Sequence, residues 1–74
     1  MTAEAIREHL QAAPFLPFTI HLTNGRDFFV DHPDFVTILR DNRHMLINFE
    51  GVRVATVDLD HIAYVQKAAA EREA

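Results

Sequence analysis

The amino-acid sequence predicts an α+β, mainly β domain: an N-terminal helix followed by a five-stranded, strongly bent antiparallel meander that forms a small barrel. Three observations support this prediction. A helical stretch ending at a proline opens the chain, an Asn-Gly turn joins two strands, and apolar residues occupy both faces of several later strands. One short helix cannot cover both faces of an open sheet, whereas a barrel buries its inner face and removes the exposed edges.

The helix is predicted over residues 3–12. Thr2 suits the N-cap, where a hydroxyl accepts a hydrogen bond from a free amide of the first turn. Ile6 and Leu10 form a narrow apolar stripe, so we expect the helix to lean on the rest of the domain. Pro14 ends the helix, because the residue before a proline avoids the α conformation.

The first hairpin is predicted from strict alternation over residues 18–23, with Phe18, Ile20 and Leu22 on the inner face. Asn24-Gly25 follows directly and indicates a type I′ turn, in which both central residues have positive φ. The return strand covers residues 26–31.

The rest of the meander is predicted from shorter signals. His32-Pro33 interrupts the second strand, since a proline cannot donate to the ladder and belongs at an edge, a bulge or a bend. Strand character resumes afterwards, and turns at Asp41-Asn42 and Glu50-Gly51 separate the later strands. These strand segments are residues 35–40, 44–50, 52–59 and 62–66. We therefore expect one domain over residues 1–67, and a flexible or helical tail over residues 68–74.

Size and composition predict a self-associating protein. The chain has 74 residues and no cysteine, so disulfides and thiolate zinc sites cannot staple it. Small domains usually need a staple or a partner chain. Hydrophobic residues make up 49% of the sequence, which is high for so small a domain and indicates apolar surface buried between copies. We expect a homo-oligomer without a cofactor.

Charge and motif content argue against several function classes. The net charge of −4 disfavours an RNA-binding or other phosphate-driven role. The N-terminus lacks the pattern of a signal peptide, and no apolar run is long enough to span a membrane, so we expect a cytoplasmic protein. There is no serine or cysteine nucleophile, and the two glycines lie in separate turns. These features predict a protein that is not an enzyme.

Part of the sequence resembles the Sm-like proteins, which share a small barrel of SH3-like type. Residues 20–25, Ile-His-Leu-Thr-Asn-Gly, are similar to the strand and turn that open the bacterial Sm-like RNA chaperone. Residues 35–40 are similar to its phenylalanine-led apolar strand, and Asp60-His61 lies where the family carries a Lys-His pair. The likeness extends from Phe18 to about Val65. It implies a ring, closed by pairing the fourth and fifth strands of neighbouring subunits, with single-stranded RNA in the pore.

The sequence departs from that family at the positions that serve RNA. Asp60 replaces the lysine that would face the phosphates, and the helix offers Arg7 as its one strong cation. His32-Pro33 stands where the family bends its second strand at a glycine. The chain also resembles short bacterial proteins with a Pro-Phe-x-Ile, Asn/Asp-Gly-Arg and His-Pro pattern, here beginning at Pro17, Asn24 and His32. That likeness implies no function.

Two polar clusters are candidates for chemistry. Asp31, His32 and Asp34 suit a metal or acid–base site, in which a carboxylate orients an imidazole. The alternative, which we favour, is a bend in which the two aspartates cap turn amides. A second cluster, Asp58, Asp60 and His61, would join the first only if the fold brings them together.

Adjacent aromatic residues predict an interaction surface. Phe28 and Phe29 lie side by side on one strand, so they point to opposite faces and one of them lies outside the core. It would pack against a partner chain or, with His61, contact RNA. We also place Val54 and Tyr64 at the oligomer interface. The sequence thus predicts an assembly or protein-binding module, with an Sm-like RNA binder as the alternative and a metal protein or enzyme as the least favoured.

Overall fold

A computed structural model describes residues 1–68 of the chain, and these residues adopt an α+β fold. The predicted tail therefore lies outside the described residues, apart from Ala68. The described part contains the helix α1 (Ala3–Gln11) and the strands β1 (Phe18–Leu22), β2 (Asp27–Val30), β3 (Val36–Ile38), β4 (His44–Phe49), β5 (Arg53–Asp58) and β6 (Ile62–Lys67).

The six strands form two antiparallel sheets of three strands each, in the orders β2-β1-β6 and β3-β4-β5. The predicted five-stranded closed barrel is therefore wrong for the described residues. The chain passes from one sheet to the other at two 3-10 turns, Pro33–Phe35 and Leu59–His61. Pro33 has no amide hydrogen and cannot donate a hydrogen bond to a neighbouring strand. The amide of Asp34 donates to Nδ1 of His32, and this bond caps the turn. The predicted bent second strand thus becomes β2 and β3, which belong to different sheets.

The core lies between the two sheets and under α1. Phe18 and Ile20 of β1 are fully buried, as their alternation predicts, and Met45 and Ile47 of β4 are fully buried as well. Ile6 of α1 is also fully buried, so the helix leans on the sheets as expected. The Thr2 hydroxyl accepts a hydrogen bond from the amide of Ala5, which confirms the N-cap.

The first hairpin forms at the predicted residues but with a different turn. Gly25 has a φ of +93°, whereas Asn24 does not have positive φ. The Gly25 amide donates to the carbonyl of Leu22, and the Leu22 amide donates to the carbonyl of Arg26. This pattern is typical of a type I turn followed by a left-handed glycine that forms a bulge, so the predicted type I′ turn is wrong.

The turn type predicts unequal effects of substitution at these two positions. A Cβ at Gly25 would meet no atom within 4 Å, so Gly25→Ala should cost only the left-handed backbone strain, about 1–2 kcal/mol. Asn24→Ala removes only the hydrogen bond that the Arg26 amide donates to Asn24 Oδ1, about 0.5 kcal/mol. Urea denaturation measures both values. Equal losses would contradict this turn, because a type I′ turn needs positive φ at both residues.

Candidate interaction surface

Within the described residues each sheet has two edge strands, β2 and β6 in one and β3 and β5 in the other. Two of these, β5 and β6, follow one another in the chain: β5 pairs only with β4, and β6 pairs only with β1. The Leu59 amide donates to the carbonyl of Arg43, and the Ala68 amide donates to the carbonyl of Pro17. Because bonded and non-bonded pairs alternate in an antiparallel ladder, these contacts fix the direction of the other backbone groups. Val54 and Thr56 direct their N–H and C=O groups away from β4, and Val65 directs its groups away from β1.

The predicted interface residues Val54 and Tyr64 lie on these two strands. Their side chains are 53% and 52% exposed, respectively. Tyr64 stacks on His21 of β1, with ring centroids 4.3 Å apart and an interplanar angle of 16°. The His21 Nε2 atom lies 3.3 Å from Oε1 of Gln66, so the aromatic pair is held on the outer face of the first sheet.

Phe28 and Phe29 point to opposite faces of β2, as predicted. Phe28 is 5% exposed and packs edge-to-face on Phe49 at a centroid distance of 5.1 Å, whereas Phe29 is 59% exposed. The Arg26 guanidinium lies 5.2 Å from the centroid of the Phe28 ring. Phe28 is therefore a core residue, and only Phe29 of the pair is available to a partner.

A groove of about 410 Å³ opens beside β2, between this strand and the end of β4. We call it the aromatic groove. Its apolar lining consists of Phe28, Phe29, Phe35 and Phe49. Its carboxylates belong to Asp27, Asp31 and Glu50. The sequence analysis missed this groove, because its walls come from three segments of the chain and the only local signal was the pair of adjacent phenylalanines.

Asp31, His32 and Asp34 form a bend rather than a converging cluster. The Asp34 amide donates to His32 Nδ1 over 3.1 Å, and this same nitrogen lies 3.7 Å from Asp34 Oδ2. The favoured interpretation as a bend agrees with this geometry, but the histidine caps the turn where we expected the aspartates to do so. Asp31 lines the aromatic groove instead. Among residues 1–68 no three His, Cys, Asp or Glu side chains are grouped as metal ligands.

The fold also builds a cluster that the sequence analysis missed, in which His44 lies between two carboxylates. His44 Nδ1 is 2.7 Å from Asp41 Oδ2, and Nε2 is 3.8 Å from Asp58 Oδ2. The amide of Arg43 and the His44 ring donate to Asp41 and hold the pKa of that carboxyl at about 2. The Asp60 amide lowers the pKa of Asp58 in the same way. The only local signal was an aspartate three residues before a histidine across a tight turn.

The predicted RNA contacts divide between two grooves: Phe29 and His61 line different grooves, whereas Phe28 lines both. His61 is exposed in the turn Leu59–His61 and lines a second groove of about 380 Å³ with Arg26 and Asp58. Phe29 lines the aromatic groove. The structure therefore does not place Phe29 and His61 in one groove.

The low pKa of Asp41 predicts a loss of stability in acid. Its folded value, about 2, lies below the ordinary value of 3.8. The ionised carboxylate therefore stabilises the fold above the ordinary value, and this contribution disappears as the pH falls towards the folded value. We expect Asp41→Asn to have a lower urea midpoint than the wild type near neutral pH, and the difference to shrink between about pH 4 and pH 2.

The control for this prediction is His44→Ala, which removes the His44 ring that acts on Asp41 and leaves the backbone amides of Arg43 and residue 44 in place. The His44→Ala substitution should narrow the pH range over which the stabilisation by the ionised Asp41 carboxylate is lost. A difference between wild type and Asp41→Asn that stays constant down to about pH 2 would contradict the prediction.

In comparisons with known proteins, no family model, no curated protein and no solved structure matches the chain. Within the described residues, no helix is long and apolar enough to cross a membrane. The likeness to Sm-like proteins thus remains a prediction from sequence, and the function has to be argued from the geometry of this chain.

Proposed function

We propose that this protein is an assembly module in which the open edge of β5 on one copy pairs with the open edge of β6 on the next. The observation that carries the proposal is that β5 and β6 are consecutive edge strands of different sheets, and that each carries an exposed large apolar side chain, Val54 or Tyr64. A strand edge with free N–H and C=O groups is a template for another strand.

These two edges carry few of the features that usually prevent edge pairing. Soluble proteins blunt exposed edges with proline, with lysine or with inward-pointing charges. Neither strand contains proline, and the only lysine is Lys67 at the end of β6. The middle of β5 is Val54-Ala55-Thr56-Val57, which is rich in residues that favour strands. The edges are therefore suited to pairing with another chain.

Burial supports the same proposal. The exposed large apolar residues include Val52, Val54 and Tyr64, which lie on these strands or in the adjoining turn. A domain of this size buries a limited fraction of its surface, and no disulfide strengthens it. Pairing between copies would bury part of this apolar surface and satisfy the free backbone groups of both edges.

Pairing of two different edges has a consequence for the form of the assembly. A contact between β5 and β6 is head-to-tail, so it generates a ring where the rotation closes and a filament where it does not. The resemblance to Sm-like proteins implies the same arrangement, since their rings join the fourth and fifth strands of neighbours.

The proposal predicts that a charge on the β5 edge prevents assembly. Val54→Lys should convert the oligomer into a monomer, because it places a charge beside backbone groups that must be desolvated. The matched control is Val52→Lys, the same change two residues away in the exposed turn, which should leave the oligomer intact. Size-exclusion chromatography with light scattering measures both. A wild-type monomer at high concentration would refute the proposal.

A mixing experiment tests the head-to-tail arrangement. Val54→Lys blocks β5, and Tyr64→Lys places a charge on β6, so each variant alone should be monomeric. Mixed together, the intact β6 of the first and the intact β5 of the second should form a one-to-one dimer that cannot extend. A mixture that remains monomeric would contradict pairing between these two edges.

We propose as a second candidate function that the assembly binds single-stranded RNA at the end that carries the turn Leu59–His61. The observation that favours this function is the grouping of basic side chains there: His44, His61 and Arg43 all lie near the carboxyl of Asp58 and lower its pKa. Asp41 and Asp60 lie at the same end and oppose an anionic ligand. We therefore rank it below assembly.

Fluorescence anisotropy with labelled uridine-rich and adenosine-rich oligonucleotides tests this second function. Binding should weaken with salt, and Arg43→Ala should reduce the slope of log affinity against log salt by about 1, the effect of losing one phosphate contact. The absence of binding at about 50 mM salt would refute it.

A further inference from the structure

We infer that the aromatic groove binds an extended, lysine- or arginine-containing segment of a partner protein, which adds as a strand to the free edge of β2. This inference does not depend on the assembly proposed above, since the groove lies beside β2 and β4 and not at the open edges of β5 and β6.

The backbone of β2 offers the hydrogen bonds that such a strand needs. The Leu22 amide donates to the carbonyl of Arg26, which makes these residues a bonded pair of the β1–β2 ladder. Because bonded and non-bonded pairs alternate, Asp27 and Phe29 each belong to a non-bonded pair with β1. They therefore direct their N–H and C=O groups away from β1. Both residues line the groove, and β2 pairs with no strand other than β1 in the described part of the chain.

The opposite wall has a free segment as well. The pairing of β3 with β4 ends where Val36 faces Ile47, so β3 does not cover the last residues of β4. Asn48 and Phe49 of that uncovered segment line the groove. The two sheets therefore diverge here and leave a slot with free backbone on one side and partly free backbone on the other.

The side chains of the groove would select apolar residues on one face of the incoming strand. Phe29 and Phe35 are exposed at the opening, and Phe28 and Phe49 form the inner wall. Alternate residues of a strand point to the same side, so every second residue of the partner would meet this aromatic lining. Aromatic residues that are exposed in a concave site are typical anchors of protein recognition.

Charge identifies the chemistry of the other residues of the partner. Asp27, Asp31 and Glu50 line the groove, and no Lys, Arg or His of the described residues does so. Asp27 Oδ2 lies 3.9 Å from His21 Nδ1, and Glu50 Oε1 lies 3.7 Å from Arg53 Nε. Asp31 has no such ion pair within residues 1–68. The groove therefore favours cationic segments and disfavours acidic peptides and nucleic acids.

Fluorescence anisotropy with a short peptide of alternating lysine and valine tests the inference. We expect saturable binding that Asp31→Lys weakens about tenfold, because the substitution places a cation opposite the lysines. The matched control is Glu8→Lys on α1, which makes the same change in net charge at an exposed residue outside the groove. It should weaken binding less than about twofold. Circular dichroism confirms that both variants fold.

Two further peptides separate strand addition from general attraction between charges. Replacing the central valine by proline removes an amide hydrogen without changing the charge, and it should abolish binding. A glutamate–valine peptide should not bind. Equal weakening by Asp31→Lys and Glu8→Lys, or undiminished binding of the proline peptide, would overturn the inference. Repeating the titration with Val54→Lys should give the wild-type affinity, which keeps this result separate from the assembly proposal.

Discussion

The rest of the fold depends on the inability of Pro33 to continue a strand. Without an amide hydrogen at this position, the chain turns through Pro33–Phe35 and enters a second sheet. The turn is stabilised by its own polar side chain, because His32 accepts the amide of Asp34. From this break follow the two sheets that enclose the core and the divergence of β2 from β4 that opens the aromatic groove.

Local signals allowed the sequence to predict the elements and their inward faces. The N-cap at Thr2, the alternation of Phe18 and Ile20, and the opposite directions of Phe28 and Phe29 depend on neighbouring residues only, and the structure agrees with each. The number of strands was not predictable in the same way. Apolar alternation resumes after Pro33 whether the chain bends within one sheet or passes into another, so the pattern could not distinguish six strands from five.

The candidate sites were harder to predict because they depend on contacts between distant segments. Phe35 and Phe49 reach the groove from different sheet elements, and Asp58 approaches His44 only because β5 pairs with β4. The residues of a turn do not always determine its type. Asn-Gly suits both a type I′ turn and a type I turn with a bulge, and the backbone hydrogen bonds of Leu22 show that the second is formed. Sequence patterns therefore located the strands of this protein more accurately than the surfaces between them.

The open edges of the molecule differ in what surrounds them, and this difference argues for different partners. At β5 and β6 the exposed side chains near the free backbone include Val54, Thr56 and Tyr64, and the charged residues Arg53, Asp58 and Lys67 lie at the strand ends. Pairing there would depend on apolar burial and backbone hydrogen bonds, which salt screens little. Beside β2 the free backbone lies among Asp27, Asp31 and Glu50. Copies of an acidic chain repel one another at such a surface, so the same charge that would make the groove receptive to a basic segment also directs self-association to the other edges.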